Sequence, residues 1–284
     1  MKLLRLGEKG KEIPAVLVSD DEAADLSSVV RDFDFAFFSG DGIDRVRSAI
    51  DRGGLRRVRV SDHRIGAPVA RPSKLMAVGL NYSDHAKETN ATLPDKPIFF
   101  DKATTAINGP YDDIVLPSNY DTVDYEIELA VLIGRRARRV SRAEALAHVA
   151  GYLICNDVSE RTAQRKEGGQ WYRAKSFDTF APLGPYLVTA DEVGDPHRLS
   201  LVLRIDGAVR QNGNTSNLIF DVPHLIEFIS RNITLEPGDI ITTGTPAGVG
   251  MGMNPPGFLK PGQIVELEVT GLGTQRSRIV READ

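Results

Sequence analysis

Apolar residues along the chain recur mainly in short runs closed by glycine, proline or asparagine, a pattern of β-strands more than of long helices. Such runs occur at "LMAVGL" (75–80), "IVLP" (114–117), "IELAVLIG" (127–134), "YLICND" (152–157), "GPYLVTA" (184–190), "LSLVLRIDG" (199–207), "GDIITTG" (238–244) and "GQIVELEVTG" (262–271). The phrases "LEPGDI" (235–240) and "LKPGQI" (259–264) read as Pro-Gly turns that feed the last two. Helix signals are fewer. Ser141 and Glu144 form a capping box ahead of "ALAHVAGY", and Asp221 can cap "VPHLIEFIS" with Pro223 in its first turn. Residues 1–70 are charged and weakly periodic, with strand-like pieces such as Ala15–Val18, and the Pro-flanked "GAPVARPSK" (66–74) follows them. The expected fold is α+β and β-rich, with a small N-terminal domain over 1–70 ahead of a larger one over 71–284.

Composition narrows this picture a little. At 284 residues and 41% hydrophobic, the chain can build a core that needs no staples. Its one cysteine, Cys155, excludes an intrachain disulfide and fits a reducing compartment; it abuts an apolar run and reads as a packed thiol. "MKLLRLGE" lacks a secretory apolar region, and no run of ~20 apolar residues occurs, so a soluble cytoplasmic protein with no membrane partner is expected. The net charge of −4 gives no general reason for a polyanion partner, and no nucleic acid is expected. The arginine-rich stretches at 52–64 and 134–140 read as solvated surface.

The chemistry starts in "VDYEIELAVLIG" (123–134), an apolar strand whose first half carries Glu126 and Glu128. Residues two apart on a strand share a face, about 7 Å apart at ~3.3 Å rise per residue. Paired carboxylates against a core repel each other and resist desolvation, so a positive group belongs between them. The spacing fits a bound dication and fits equally an arginine on a solvent face. Asp157, at the end of "YLICND", offers a third oxygen ligand. Three carboxylates with no adjacent Cys or His set favour Mg²⁺, Mn²⁺ or Ca²⁺ over zinc.

Beyond Asp157 the chain turns helical, with Ser159 as a candidate cap. Arg161 and Gln164 would share a helical face, and Arg161 stands four residues beyond Asp157. His85 and Glu88, three apart in "GLNYSDHAKE" (79–88), would form a base and its orienting carboxylate on a helix. His148 and His224 fall in expected amphipathic helices and His63 and His197 in charged loops, so these four read as structural or surface residues. Lys175 lies among aromatic and turn residues. "TTGTPAGVGMG" (242–252) is glycine-rich, but Pro255 and Pro256 stand where a dinucleotide-binding helix would begin. Its N–H groups and the Thr245 hydroxyl can still receive a carboxylate. Neither a phosphate-binding GK[ST] nor a G-x-S-x-G elbow occurs.

Five ordered blocks, "GLNYSDHAKE", "DYEIELAVLIG", "CNDVSERTAQ", "AKSFDTFAPLGP" and "TTGTPAGVG", together resemble the fumarylacetoacetate hydrolase family over roughly residues 72–284. The resemblance implies a mixed β-roll, a homodimer and a divalent metal, usually Mg²⁺ or Mn²⁺. It implies Glu126, Glu128 and Asp157 as metal ligands, and His85 with Glu88 as the catalytic pair on a segment that closes as a lid. Lys175, Arg161 and Gln164 match its polar wall, with Lys175 and Gln164 as catalytic donors. Thr245 matches the group that meets the substrate carboxylate, and Tyr82 and Lys102 fall at further substrate-binding positions. One departure is Asp101, where relatives often carry an apolar residue near the pocket mouth. The implied activity is hydrolysis of the C3–C4 bond of a 2,4-dioxo acid to pyruvate and a carboxylic acid, the most similar subgroup acting on 2,4-diketo-3-deoxy sugar acids. Alternatives are a hydroxymuconate-type isomerase, an oxaloacetate decarboxylase, a ureidoglycolate lyase-like enzyme, or a non-catalytic protein stabilised by a structural ion.

Overall fold

Every residue of Ile127–Ile133 is buried, as expected of a strand covered on both faces. The computed structural model describes residues 1–88 and 92–283. In it, this strand lies well inside a 12-stranded sheet whose main path runs Arg57–Arg59, Glu22–Asp25, Ile13–Ser19, Lys2–Leu6, Ala181–Thr189, Val149–Asn156, Ile127–Ile133, Ile240–Thr242, Leu75–Gly79 and Ile98–Lys102. Most pairs are antiparallel, but Ile240–Thr242 runs parallel to Leu75–Gly79, so the sheet is mixed. A second, five-stranded sheet comprises Ala208–Asn214, Ser200–Ile205, Ile264–Val269, Gly273–Arg281 and Ile114–Leu116. The fold class is α+β and β-rich, as the short apolar runs predicted.

Two buried glutamines stitch the sheets together. Gln275, on the five-stranded sheet, donates from Nε2 to the carbonyls of Ile154, Pro182 and Gly184 on the large one, at 3.0, 3.2 and 3.0 Å. Gln211 accepts from the Ile127 N–H at 3.0 Å and donates to Thr245 Oγ1 and the Pro246 carbonyl at 2.7 and 2.8 Å. Both side chains are fully buried, where an unmade hydrogen bond would be costly. They fix how the sheets sit around the polar centre described below.

Two local expectations change. Ser141 does bond to Glu144 (Oγ to Oε2, 2.7 Å), but only a 3₁₀ turn, Ala145–His148, follows, and Val149 enters the strand Val149–Asn156. Pairing on both edges, with Ile127–Ile133 and Ala181–Thr189, outweighs the cap. Gly151 permits that pairing, since a Cβ there would sit 2.3 Å from the Val188 carbonyl oxygen. His148 therefore ends a turn and not a helix, its Nδ1 3.1 Å from the Arg135 carbonyl. By contrast Asp221 caps Val222–Ser230 as expected, accepting from the His224 N–H at 2.9 Å.

The N-terminal stretch carries more order than its weak periodicity suggested. Lys2–Leu6 pairs with Ala181–Thr189, placing Leu3 opposite Leu187, and thereby joins residues 1–70 to the large sheet. Leu3, Leu4 and Leu6 are all buried, so this strand has no polar face to reveal it. Among the nearby arginines, Arg56, Arg57 and Arg59 pair with Asp25, Glu22 and Asp21. Among the described residues no helix is long and apolar enough to cross a membrane.

Replacing Leu3 with alanine should remove ~2–4 kcal/mol of stability, read as a lower urea midpoint. A shift worth less than ~1 kcal/mol would mean that the first strand is only loosely packed.

Candidate metal centre and active site

The site begins with strand register. Ile127 pairs with Asn156 and Glu128 with Cys155, while the Asp157 N–H donates to the Glu126 carbonyl at 2.9 Å. The Asn156 side chain accepts from the Glu126 N–H at 3.1 Å. Two antiparallel strand ends are thus held level, and three carboxylates converge. Glu126, Glu128 and Asp157 each offer an oxygen, all within 4.8 Å of one another, and their exposures are 5%, 1% and 1%.

Cations reach two of the three. Lys175, the last residue of helix Trp171–Lys175, donates from Nζ to Glu126 Oε2 at 2.6 Å and to Asp157 Oδ2 at 2.7 Å. Lys102 lies behind Asp157, with Nζ 2.5 Å from Oδ1 and 3.2 Å from the Val158 carbonyl. Arg161, opening helix Arg161–Lys166, binds Glu126 Oε1 through Nη2 at 2.6 Å and Gln164 Oε1 through Nη1 at 2.9 Å. Burial works against an ionised Glu126, yet Lys175 and Arg161 outweigh it and hold its carboxyl well below the usual range. Glu128 behaves oppositely. Among the described residues its one hydrogen-bond donor is the Gly244 N–H at 2.7 Å, and burial, then Asp157 and Glu126, push its carboxyl well above the usual range. A buried carboxylate left over beside two others is the observation that fits a dication. The all-oxygen donor set suits a hard ion, so Mg²⁺, Mn²⁺ or Ca²⁺ would be held by Glu126, Glu128 and Asp157.

His85 and Glu88 do share a helix, Ser83–Glu88, with Nδ1 3.2 Å from Glu88 Oε2. The other oxygen of Glu88 accepts from the Gly248 N–H at 2.9 Å, which ties the glycine-rich loop to the pair. Gly252 allows this approach, because a Cβ there would come within 2.6 Å of the Glu88 carboxyl carbon. His85, Glu126, Glu128, Arg161, Gln164, Lys175 and Thr245 all line one cavity of about 330 Å³.

Several expectations need correction. Ser159 bonds back to the Asp157 carbonyl, and Glu160 caps the helix instead, accepting from Ala163 N–H at 2.5 Å. Arg161 turns to Asp124 and Glu126 and not to Asp157, since Asp157 precedes the helix. Tyr82 and Lys102 are buried and do not line the cavity, and Lys102 is turned to Asp157. Thr245 does line the cavity, but its hydroxyl donates to the Ile127 carbonyl at 2.8 Å, leaving it no proton for a carboxylate. Asp101 is exposed on the edge strand Ile98–Lys102, facing away from Lys102 and off the cavity wall. Cys155 is fully buried, and burial raises its thiol, consistent with packing alone.

One residue central to the site escaped the sequence reading. Asp124, fully buried, binds Arg161 Nε at 2.9 Å and accepts from the N–H groups of Gly250 and Met251 at 2.7 and 3.0 Å. It thus joins the arginine to the glycine-rich loop. Its signal was an acidic residue two before Glu126, the same same-face spacing that singled out Glu128.

The chain is similar to known proteins over nearly its whole length. The family model described as fumarylacetoacetate (FAA) hydrolase C-terminal matches residues 74–280. A Burkholderia lata protein, provisionally named a hydrolase, is 50% identical over 276 residues, 97% of each chain. The solved 5-carboxymethyl-2-hydroxymuconate delta-isomerase of Mycobacterium smegmatis is 36% identical with a TM-score of 0.80, covering 100% of both chains. Maleylpyruvate hydrolase from Sphingobium sp. SYK-6, solved in complex with manganese(II) and pyruvate, is 30% identical with a TM-score of 0.84, again covering 100% of both.

Glu128→Gln should keep the Gly244 contact while removing the surplus carboxylate. Without added metal the variant should melt at or above the parent's temperature, and it should lose the rise in Tm that Mg²⁺ or Mn²⁺ gives the parent. An undiminished rise would put the ion elsewhere. Because its carboxyl is raised, Glu128 favours the metal-free fold below the ordinary carboxylate range and loses that contribution as pH climbs through its own pKa. Metal affinity should therefore strengthen with pH, with release of about one proton measurable by calorimetry in buffers of different ionisation heat. Asp124→Asn should cost about 3 kcal/mol in denaturant unfolding, since it leaves Arg161 short of a buried partner.

Proposed function

The chain belongs to the fumarylacetoacetate hydrolase family, and from that premise we propose that it is a metal-dependent hydrolase that cleaves the C3–C4 bond of a 2,4-dioxo acid. The observation that carries this reading is that His85, held by Glu88, opens onto the same cavity as Glu126 and Glu128, beside which Asp157 completes the carboxylate cluster. Bound there, a dication would supply Lewis-acid polarisation of the 2-oxo acid end of the substrate.

The protein's own residues account for the rest. Glu88 holds Nδ1 of His85, which assigns the proton to that nitrogen and leaves Nε2 to act as base. Nε2 takes a proton from water as the water oxygen bonds to C4, a contribution of ~10²–10⁴ in rate. The C4 oxygen becomes negative and needs a fixed donor. Gln164 is suited to this, because Arg161 occupies its Oε1 and so turns the NH₂ end into the available donor. Such a donor is worth roughly 3–4 kcal/mol. Lys175 spends two N–H bonds on Glu126 and Asp157 and has its third left to share that charge. Collapse of the C4 adduct breaks C3–C4, the electron pair goes to C3, and His85 returns its proton there. The products are pyruvate and a carboxylic acid.

An isomerase of the same fold would share proton transfers at His85 but add no water. Incubation with an acylpyruvate and Mn²⁺ in H₂¹⁸O separates the two, since hydrolysis places one ¹⁸O in the carboxylic acid product. Unlabelled rearranged substrate would overturn the hydrolase reading. His85→Ala should lower kcat by ~10²–10⁴ while leaving the metal-induced rise in Tm unchanged. A purely structural metal protein would show no activity for that substitution to remove.

A further inference from the structure

The cations around the cavity are of two kinds. Arg161 and Lys175 are buried and already paired with carboxylates. Arg165 also lines the cavity, is exposed, and has no carboxylate partner among the described residues; its Nη1 lies 3.4 Å from the Met251 sulfur. It stands four residues beyond Arg161 on the same helix, so the two share a face with Cβ atoms about 5–6 Å apart. Arg161 points into the carboxylate cluster, and Arg165 marks the solvent side.

Part of the wall of this cavity is apolar. Val78, Leu80, Trp171 and Met251 supply it. The indole packs hard against the end of strand Leu75–Gly79, since a Cβ on Gly79 would fall 2.4 Å from the ring. These side chains offer almost nothing to a hydroxyl leaving water, whereas a plain carbon chain loses nothing on entering. Arg165 is the strong donor at the far end.

Resting on the reading that a 2-oxo acid binds at the carboxylate cluster, we infer that Arg165 is a specificity-determining residue that receives a second carboxylate at the distal end of the substrate. The substrate class is then a 2,4-dioxo acid whose short, unhydroxylated tail ends in a carboxylate, in place of a hydroxylated sugar acid. A guanidinium matches a carboxylate by paired N–H bonds. Because Arg165 is exposed, its effect should be moderate and salt-sensitive. Because it lies away from the bond that breaks, it should act on KM with kcat nearly unchanged.

The test uses two matched pairs of ligands on the Mn²⁺-loaded protein and its Arg165→Met variant. Calorimetry compares 2-oxoadipate with 2-oxohexanoate, which differ only in the tail carboxylate. Kinetics compare 2,4-dioxoheptanedioate with its C7 amide. In the parent the diacid should bind about 5- to 10-fold more tightly than the monoacid, and its kcat/KM should exceed the amide's by a similar factor. In the variant both ratios should fall below about twofold through the diacid alone, and Arg165→Lys should restore part of the preference. Should neither dioxo compound be cleaved, the hydrolase reading falls and calorimetry still decides on Arg165. Equal affinities in the parent, or a preference that survives Arg165→Met, would overturn the assignment. Binding of neither 2-oxo acid would overturn both.

Discussion

Four buried carboxylates, those of Asp124, Glu126, Glu128 and Asp157, share the heart of this protein with three buried cations, Lys102, Arg161 and Lys175. Ion pairs out of water rarely add much net stability, because desolvation consumes most of the attraction. Their hydrogen-bond geometry has to be nearly complete for the fold to tolerate them. Among the described residues Asp124, Glu126 and Asp157 each pair with a cation, whereas Glu128 accepts a backbone N–H and makes no ion pair. The imbalance of one carboxylate is the feature around which the chemistry is arranged.

Holding such a cluster requires a scaffold that does not yield. Ile127–Ile133 and Val149–Asn156 lie within the large sheet, and Gln211 and Gln275 tie the neighbouring elements to them. Repulsion among the carboxylates is thus borne by strands that cannot separate without breaking ladder hydrogen bonds on both edges. The short helix Ser83–Glu88 and the glycine-rich loop are joined to each other through Glu88, and the loop is joined to the cluster through Asp124 and Glu128. Rigid strands hold the charge, and loops and short helices present the groups that meet a substrate.

The same division separates reaction from specificity. The groups to which the proposed reaction assigns the reacting carbons are buried and interlocked, so altering one disturbs several others. Arg165 lines the same cavity but is exposed, so its side chain can change with little cost to the fold. A family sharing one scaffold can therefore keep its inner charge pattern while its members differ in the tail they accept.

The β-rich α+β class, the separate apolar runs and the acidic cluster followed from the order of residues alone, because strand periodicity and same-face spacing are local properties. Helix spacing likewise brought His85 to Glu88 and Arg161 to Gln164. Local signals failed where long-range pairing decided the outcome. "ALAHVAGY" gave up its helix to a sheet position, and "MKLLRL" became a strand because Ala181–Thr189 offered it an edge. Only the folded chain could show that Lys102 stands behind Asp157, that Thr245 has spent its proton on Ile127, and that Asp124 joins Arg161 to the glycine-rich loop. Those facts concern which of several polar neighbours, dozens of residues apart, takes each hydrogen bond, and that competition is settled by distance and burial in three dimensions.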